Sequence, residues 1–266
     1  MDLKHKTFEN RNCDIHYWHR AGSAHDYVIF LHGAGCDHRM FMEQIAVFDK
    51  HYDLLLWDAR GHGQSKLSAN QKFNFGDMIG DLFKLYEIHR IPKAVLIGQS
   101  IGGNLAQEIM YYNPNMISKM VLIDCTRNTG KLSFLERFIL KLAKPIFYLY
   151  PWNTLIKHSA NASANKEQVR KYIRECFSAM KKSDVVDIVT SVLDCLHEDE
   201  SYRFPEPVLL LCGVDDRLGN IQRIVATWEK DDPNCILKMI DRAGHNSNQD
   251  NPEEVNRAIS HFLELE

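Results

Sequence analysis

Gly98-Gln99-Ser100-Ile101-Gly102-Gly103 is the stretch on which the reading of this chain turns. It follows a short apolar run, Lys93–Ile97, and opens a helical pattern from Ile101 to Tyr112, with Ile101, Leu105 and Ile109 on one stripe. A serine on so tight a strand-to-helix turn is held in strained backbone geometry with its hydroxyl clear of the sheet. Glycines at 98 and 102 let neighbouring backbone come close. The helix that starts beneath it offers amide N–H groups and a positive dipole end. Gly-x-Ser-x-Gly alone is a common pattern, and a turn with a spectator serine reads the same way. The strand before it and the helix after it select the nucleophile reading.

Outward from this turn, short apolar runs punctuated by Gly, Asp or His read as strands covered on both faces: Tyr27–His32, Asp53–Asp58, Lys93–Gly98, Met120–Cys125, Val208–Gly213 and Cys235–Ile240. Asp14–His19 alternates less cleanly and reads as an antiparallel edge with the segment before it. Helical patterns lie between the strands. Asn74–His89 carries Met78, Ile79, Leu82 and Leu85 on one stripe. Asn113-Pro114 stops the helix that follows Ser100. Asn251-Pro252-Glu253-Glu254 reads as an N-cap, a first-turn proline and a capping-box glutamate, ahead of Val255, Ile259 and Phe262. Strands alternating with helices give an α/β fold, a mostly parallel central sheet flanked by helices.

Residues 126–206 break the alternation, since only helical patterns occur there. Asn165 is placed to cap a helix with Val169, Ile173, Cys176 and Met180 on one face, and Asp184 to cap another with Ile188, Val192 and Leu196. A helical insert at this point reads as a lid over the strand ends, where ligands bind in open α/β sheets. The expected organisation is a core of residues 1–125 and 207–266 with a lid of 126–206.

Composition narrows the function. Lys plus Arg total 32 against 35 Asp plus Glu, a formal charge of −3, which argues against a dedicated nucleic-acid binder. The aromatic cluster Phe147, Tyr148, Tyr150 and Trp152 has no basic groove beside it and reads as lid core. The 7 cysteines are scattered, with no C-x-x-C pair, and suit a reducing compartment. Met1–Asn12 is polar and charged, unlike a secretory leader. Phe134–Trp152, the most apolar long stretch, contains Glu136, Arg137, Lys141 and Lys144, unlike a membrane span. A cytoplasmic location without stable membrane insertion is expected, as monomer or homodimer. No G-x-G-x-x-G or Walker A loop is present, and His32, His38 and His62 form no di-metal pattern, so neither a cofactor nor a metal is expected.

Two further stretches carry chemistry. His32-Gly33-Ala34-Gly35 follows a strand and leaves backbone amides free to face a developing oxyanion, the Ala34 and Ile101 N–H groups being the pair in reach. His32 itself reads as a brace for this loop. Gly213-Val214-Asp215-Asp216 and Ala243-Gly244-His245-Asn246 each follow a strand. A serine nucleophile needs an imidazole oriented by a carboxylate, and the chain order is Ser100, an Asp, then His245. Position alone leaves Asp215, Asp216 and Asp124 open as the acid, because all three end a strand.

With HGAG at 32–35, DARGHGQS at 58–65, GQSIGG at 98–103, GVDD at 213–216 and AGH at 243–245, the chain resembles the α/β-hydrolase family, of the lidded esterase/lipase-like type. The resemblance covers everything but the lid. It implies that the acid follows the seventh strand's glycine by three residues, which is Asp216, and that Arg60 makes structural contacts. Haloalkane dehalogenases and epoxide hydrolases of the family use aspartate where this chain has Ser100. The expectation is a serine hydrolase of a carboxylic ester, lactone or related small-molecule acyl substrate, with Ser100, His245 and Asp216 as its catalytic residues. Phe134, Phe138, Phe147 and Leu149 of the lid are expected to line an apolar acyl pocket. Alternatives that keep the same three residues are an acyltransferase, C–C hydrolase, haloperoxidase, lyase, thioesterase or peptidase. A slow-turnover ligand receptor is a different class.

Overall fold

The structure, a computed structural model, describes residues 3–23, 26–48, 52–131 and 134–265, without the side chains of 134–141. Its eight strands are β1 (Lys4–Asn10), β2 (Cys13–Arg20), β3 (Asp26–Leu31), β4 (Tyr52–Trp57), β5 (Ala94–Gln99), β6 (Ile117–Ile123), β7 (Val208–Gly213) and β8 (Cys235–Ile240). They form one sheet in the order β1-β2-β4-β3-β5-β6-β7-β8. From β3 to β8 all pairings are parallel, while β2 runs antiparallel to both β1 and β4. The expected parallel α/β sheet is therefore present. The expected antiparallel edge is formed by β1 and β2, with β1 outermost and β2 paired to β4 on its other side.

Burial follows strand position. All six residues of β5 and of β7, each flanked by a strand on both sides, are buried. In β8 only Cys235 and Ile240 are buried, and Ile236 is 57% exposed. The Cys235–Ile240 run thus forms an edge strand and not one covered on both faces. Lys238 in its middle, paired with Glu254 at 3.0 Å, is the kind of charge that disfavours further pairing at a sheet edge.

The core helices are α1 (Phe75–His89), α2 (Ile101–Tyr112), α7 (Ile221–Asp231), α8 (Ser247–Asp250) and α9 (Pro252–Leu263). On α1 the expected stripe holds, with Met78, Leu82 and Leu85 buried and Ile79 half-buried; Asn74 caps it, accepting from the Asp77 amide at 3.0 Å. Asn251 caps α9, but Glu254 does not close a capping box. The Asn251 amide is already spent on the Ser247 carbonyl at 2.9 Å, so the Glu254 carboxylate turns to the Asp241 amide and Lys238 instead.

Between β6 and β7 run α3 (Phe134–Leu149), α4 (Trp152–Ser163), α5 (Glu167–Ser178) and α6 (Lys182–Thr190), with α3 packed on α6 and α4 on α5. Two expected caps in this segment are corrected. Asn165 is drawn away from the α5 start: its backbone N–H donates to Asp250 and its Nδ2 to Asp215, so α5 begins after Lys166. Asp184 lies inside the first turn of α6, where its charge suits the helix dipole. The stripe Ile188, Val192, Leu196 does not continue as one helix, because a 3₁₀ turn at Ser191–Cys195 replaces it. All seven cysteines are buried and unpaired. Among the described residues no helix is long and apolar enough to cross a membrane.

Candidate active site

The turn between β5 and α2 puts Ser100 at φ +51°, ψ −120°, a conformation a side chain normally avoids. Neighbours enforce it. The Ser100 N–H donates to the Ile123 carbonyl at 2.9 Å, and its carbonyl accepts from the Asn104 N–H at 3.0 Å. Gly102 permits the closest approach: a Cβ there would fall 2.0 Å from the Leu31 carbonyl oxygen, so α2 lies directly on the end of β3. The Ser100 hydroxyl is left at the C-terminal edge of the sheet.

Two loops at the same edge complete the arrangement. His245, after β8, holds Nε2 3.0 Å from Ser100 Oγ and Nδ1 3.0 Å from Asp216 Oδ2. Asp216, after β7, uses its other oxygen to accept from the Leu218 amide at 2.9 Å, which fixes the carboxylate plane. Both side chains are buried. Burial opposes a charge on the imidazole. The hydrogen bond and charge of Asp216, with the charge of Asp124 beyond it, outweigh that and raise the His245 pKa above its usual value.

The other two carboxylates face elsewhere. Asp215 is half-buried and accepts from Asn165 Nδ2 at 2.8 Å. Asp124 is fully buried and accepts from the Gly213 and Ser247 amides. Neither makes a hydrogen bond to His245 among the described residues, so the geometry distinguishes three aspartates that sequence position leaves equivalent.

Ala34 and Ile101 both border the space in front of Ser100, and among the described residues neither amide has a hydrogen-bond partner. The loop that carries Ala34 is held from two sides. His32 is buried and accepts from the Ala59 amide at Nε2, 2.9 Å, and burial keeps its pKa low, in keeping with a brace. Gly35, at φ +74°, lies against the Phe177 ring of α5, where any side chain would collide. Arg60 is fully buried and forks onto Asp81, Nε to Oδ2 at 2.6 Å and Nη2 to Oδ1 at 2.7 Å, which makes it a brace as well.

Two cavities meet at Ser100 and His245. One, of about 500 Å³, runs under α3, α4 and α6 past Ile146, Leu155, Ala162, Val185 and Val186. The other, of about 340 Å³, runs past Ile101, Cys125, Ala143, Val192, Leu193 and Ile221. Phe147, Val189 and Leu218 line both. Of the four expected pocket residues, Phe147 is therefore at the site. Leu149 is not: it is 84% exposed at the end of α3, on the face turned away from both cavities. The side chains of Phe134 and Phe138 lie outside the described residues.

Sequence reasoning missed two supports. Gln99 is buried and donates from Nε2 to the His245 carbonyl at 2.7 Å. Asp250 is buried in α8 and accepts from the Gly244, Asn165 and Lys166 amides, joining the His245 loop to the start of α5. The position of Gln99 inside the turn was the only signal for the first, and nothing in sequence pointed to the second.

Residues 26–252 match the model of a family described as alpha/beta hydrolase fold. A putative esterase/lipase from Haemophilus influenzae is 27% identical over 251 residues, covering 89% of this chain and 82% of that one. Human epoxide hydrolase 4 is 22% identical over 276 residues, covering 95% and 76%. Among solved structures, the enol-lactonase from Burkholderia xenovorans superposes with a TM-score of 0.82 at 17% identity, over 97% of this chain and 100% of that one.

Proposed function

The chain belongs to the α/β-hydrolase fold family, and from that premise we propose that it is a serine hydrolase cleaving a carboxylic ester, a lactone or a related acyl compound. The observation that carries this reading is the unbroken hydrogen-bonded line from Asp216 through His245 to Ser100, at 3.0 Å in each step. It supplies an oriented base in reach of a strained, accessible hydroxyl.

In this mechanism Ser100 Oγ attacks the carbonyl carbon as its proton passes to His245 Nε2. Asp216 fixes the tautomer by accepting the Nδ1 proton and stabilises the imidazolium. The Ala34 and Ile101 amides hold the oxyanion, helped by the N-terminus of α2. His245 then protonates the leaving oxygen as the C–O bond breaks, and water, deprotonated by His245, releases the acyl group from Ser100. A nucleophilic serine in place of aspartate is the reason the likeness to an epoxide hydrolase does not carry that activity here. The two apolar cavities suit a substrate with an apolar group on each side of the scissile bond, and their size suits a small to medium molecule. Residues 126–206 act as the cap over both.

The test is a p-nitrophenyl ester series from acetate to palmitate, with an organophosphonate probe. Turnover and covalent labelling are both expected, and both are lost in Ser100→Ala at equal folded content. A Ser100→Ala variant that keeps more than about a tenth of the rate would overturn the assignment, because only oxyanion and binding effects then remain.

A further inference from the structure

We propose that Asp124 is a positioning residue for this site: its two carboxylate oxygens tie the loop bearing Asp216 to the loop bearing His245 and so set the contact between them. The proposal rests on the reading of Ser100 as nucleophile.

Asp124 ends β6, next to β7, and nothing in the mechanism above uses it. Its Oδ1 accepts from the Gly213 amide at 2.8 Å and its Oδ2 from the Ser247 amide at 2.9 Å. Gly213 stands three residues before Asp216, and Ser247 two residues after His245. One buried side chain thus grips both loops close to the residues that must meet. The backbone is bent to present it: Asp124 has φ +48°, and its own N–H is fixed on the Leu211 carbonyl at 2.8 Å. A residue of this shape has to be a carboxylate. Both partners are N–H donors, and asparagine would offer one acceptor oxygen and turn an NH₂ group toward the other donor.

The same side chain lies within 4.8 Å of the Asp216 carboxylate, counted between oxygens. The titratable groups that face it are His245 and Asp216 from the two loops, Cys212 from β7 and its neighbour Cys125. Burial pushes the Asp124 pKa up to about 7, against the pull of His245 and the Ser247 hydrogen bonds. Both thiols are held neutral by burial. In its ionised form Asp124 favours the His245 imidazolium from behind, while Asp216 supports it by direct contact.

The experiment measures the pH dependence of organophosphonate labelling, with kcat and KM on a p-nitrophenyl ester, for wild type, Asp124→Asn and Ser247→Pro. The last deletes the N–H that reaches Asp124 together with the buried Ser247 hydroxyl, at a first helical position that tolerates proline. Asp124→Asn is expected to label and turn over about 10- to 100-fold more slowly with KM nearly unchanged. Its acid limb should move down by about half a pH unit, since one negative charge near His245 is gone. Ser247→Pro should also lose kcat and not KM. If wild type fails to label, the nucleophile reading falls. If wild type labels and both variants match it, the positioning role falls; it also falls if the rate drops in Asp124→Asn with the acid limb unmoved, which is packing alone. Should Asp124→Asn fail to fold, Ser247→Pro decides.

Discussion

Asp216 and His245 lie 29 residues apart on loops from neighbouring strands, and their side chains meet at 3.0 Å with both largely shut off from solvent. Asp215, one residue earlier on the same turn, points to Asn165 instead. Asp216→Asn should therefore lower kcat about 10²- to 10⁴-fold, because the amide can present an N–H to Nδ1 and favour the wrong tautomer. Asp215→Asn should cost less than about tenfold, as a substitution away from the proton path. Steady-state kinetics on one chromogenic ester compare them; equal losses would show that Asp216 has no special part.

Phe147 borders both cavities, whereas Leu149 two residues on faces solvent. Phe147→Ala should change kcat/KM for the acyl chain that packs on it by about 1–3 kcal/mol, altering the ratio of short-chain to long-chain activity. Leu149→Ala should leave that ratio within about twofold, since its side chain is already in water. A p-nitrophenyl ester series on both variants is the measurement. An unchanged ratio in Phe147→Ala would remove α3 from the acyl pocket.

The base must be neutral to take the serine proton, so the rate should rise with pH along one limb. Asp216 and Asp124 raise the His245 pKa, so the midpoint of that limb should lie above the ordinary histidine value of about 6.5. The linked stability has the opposite sense: the raised pKa stabilises the fold at low pH and that contribution is lost as pH rises through the folded-state value. A kcat/KM profile under chemistry-limited conditions checks the limb. A profile flat from about pH 5 to 9 contradicts a histidine base.

Arg60 and Asp81 form a forked ion pair with both side chains wholly buried. Asp81→Ala should destabilise the protein by about 3–5 kcal/mol, since it leaves the buried guanidinium with only its longer contacts to Asp77, at 3.3 Å, and to the Asn10 carbonyl, at 3.4 Å. Replacing both, as Arg60→Met with Asp81→Leu, should cost less than the single change. Urea denaturation of the two variants is the check; a double variant as unstable as the single one would mean that the pair, and not the stranded charge, carries the stability.

The fold was legible in sequence because its signals are local. Apolar runs such as those at 94–99 and 208–213 become strands wherever both faces can be covered, and the glycines around Ser100 admit one tight turn. The same holds for Ser100, His245 and the Ala34 loop, each marked by the glycines beside it. Caps were less legible, as Asn165, Asp184 and Glu254 show. A capping side chain chooses among all acceptors and donors within reach, and here Asp215, the dipole and Asp241 compete with the expected contact.

What sequence alone determined is therefore the sheet, the turn and the identity of the candidate site groups Ser100 and His245. The family resemblance carried by the sequence pointed to Asp216; only the tertiary structure put that aspartate in contact with His245, and only it decided that Asp124 grips two loops and that Phe147 and not Leu149 faces the cavities. The physical reason is that these are contacts between segments from about 30 to more than 100 residues apart. Their side-chain directions depend on strand order and loop shape, neither of which leaves a periodic or compositional trace in the chain.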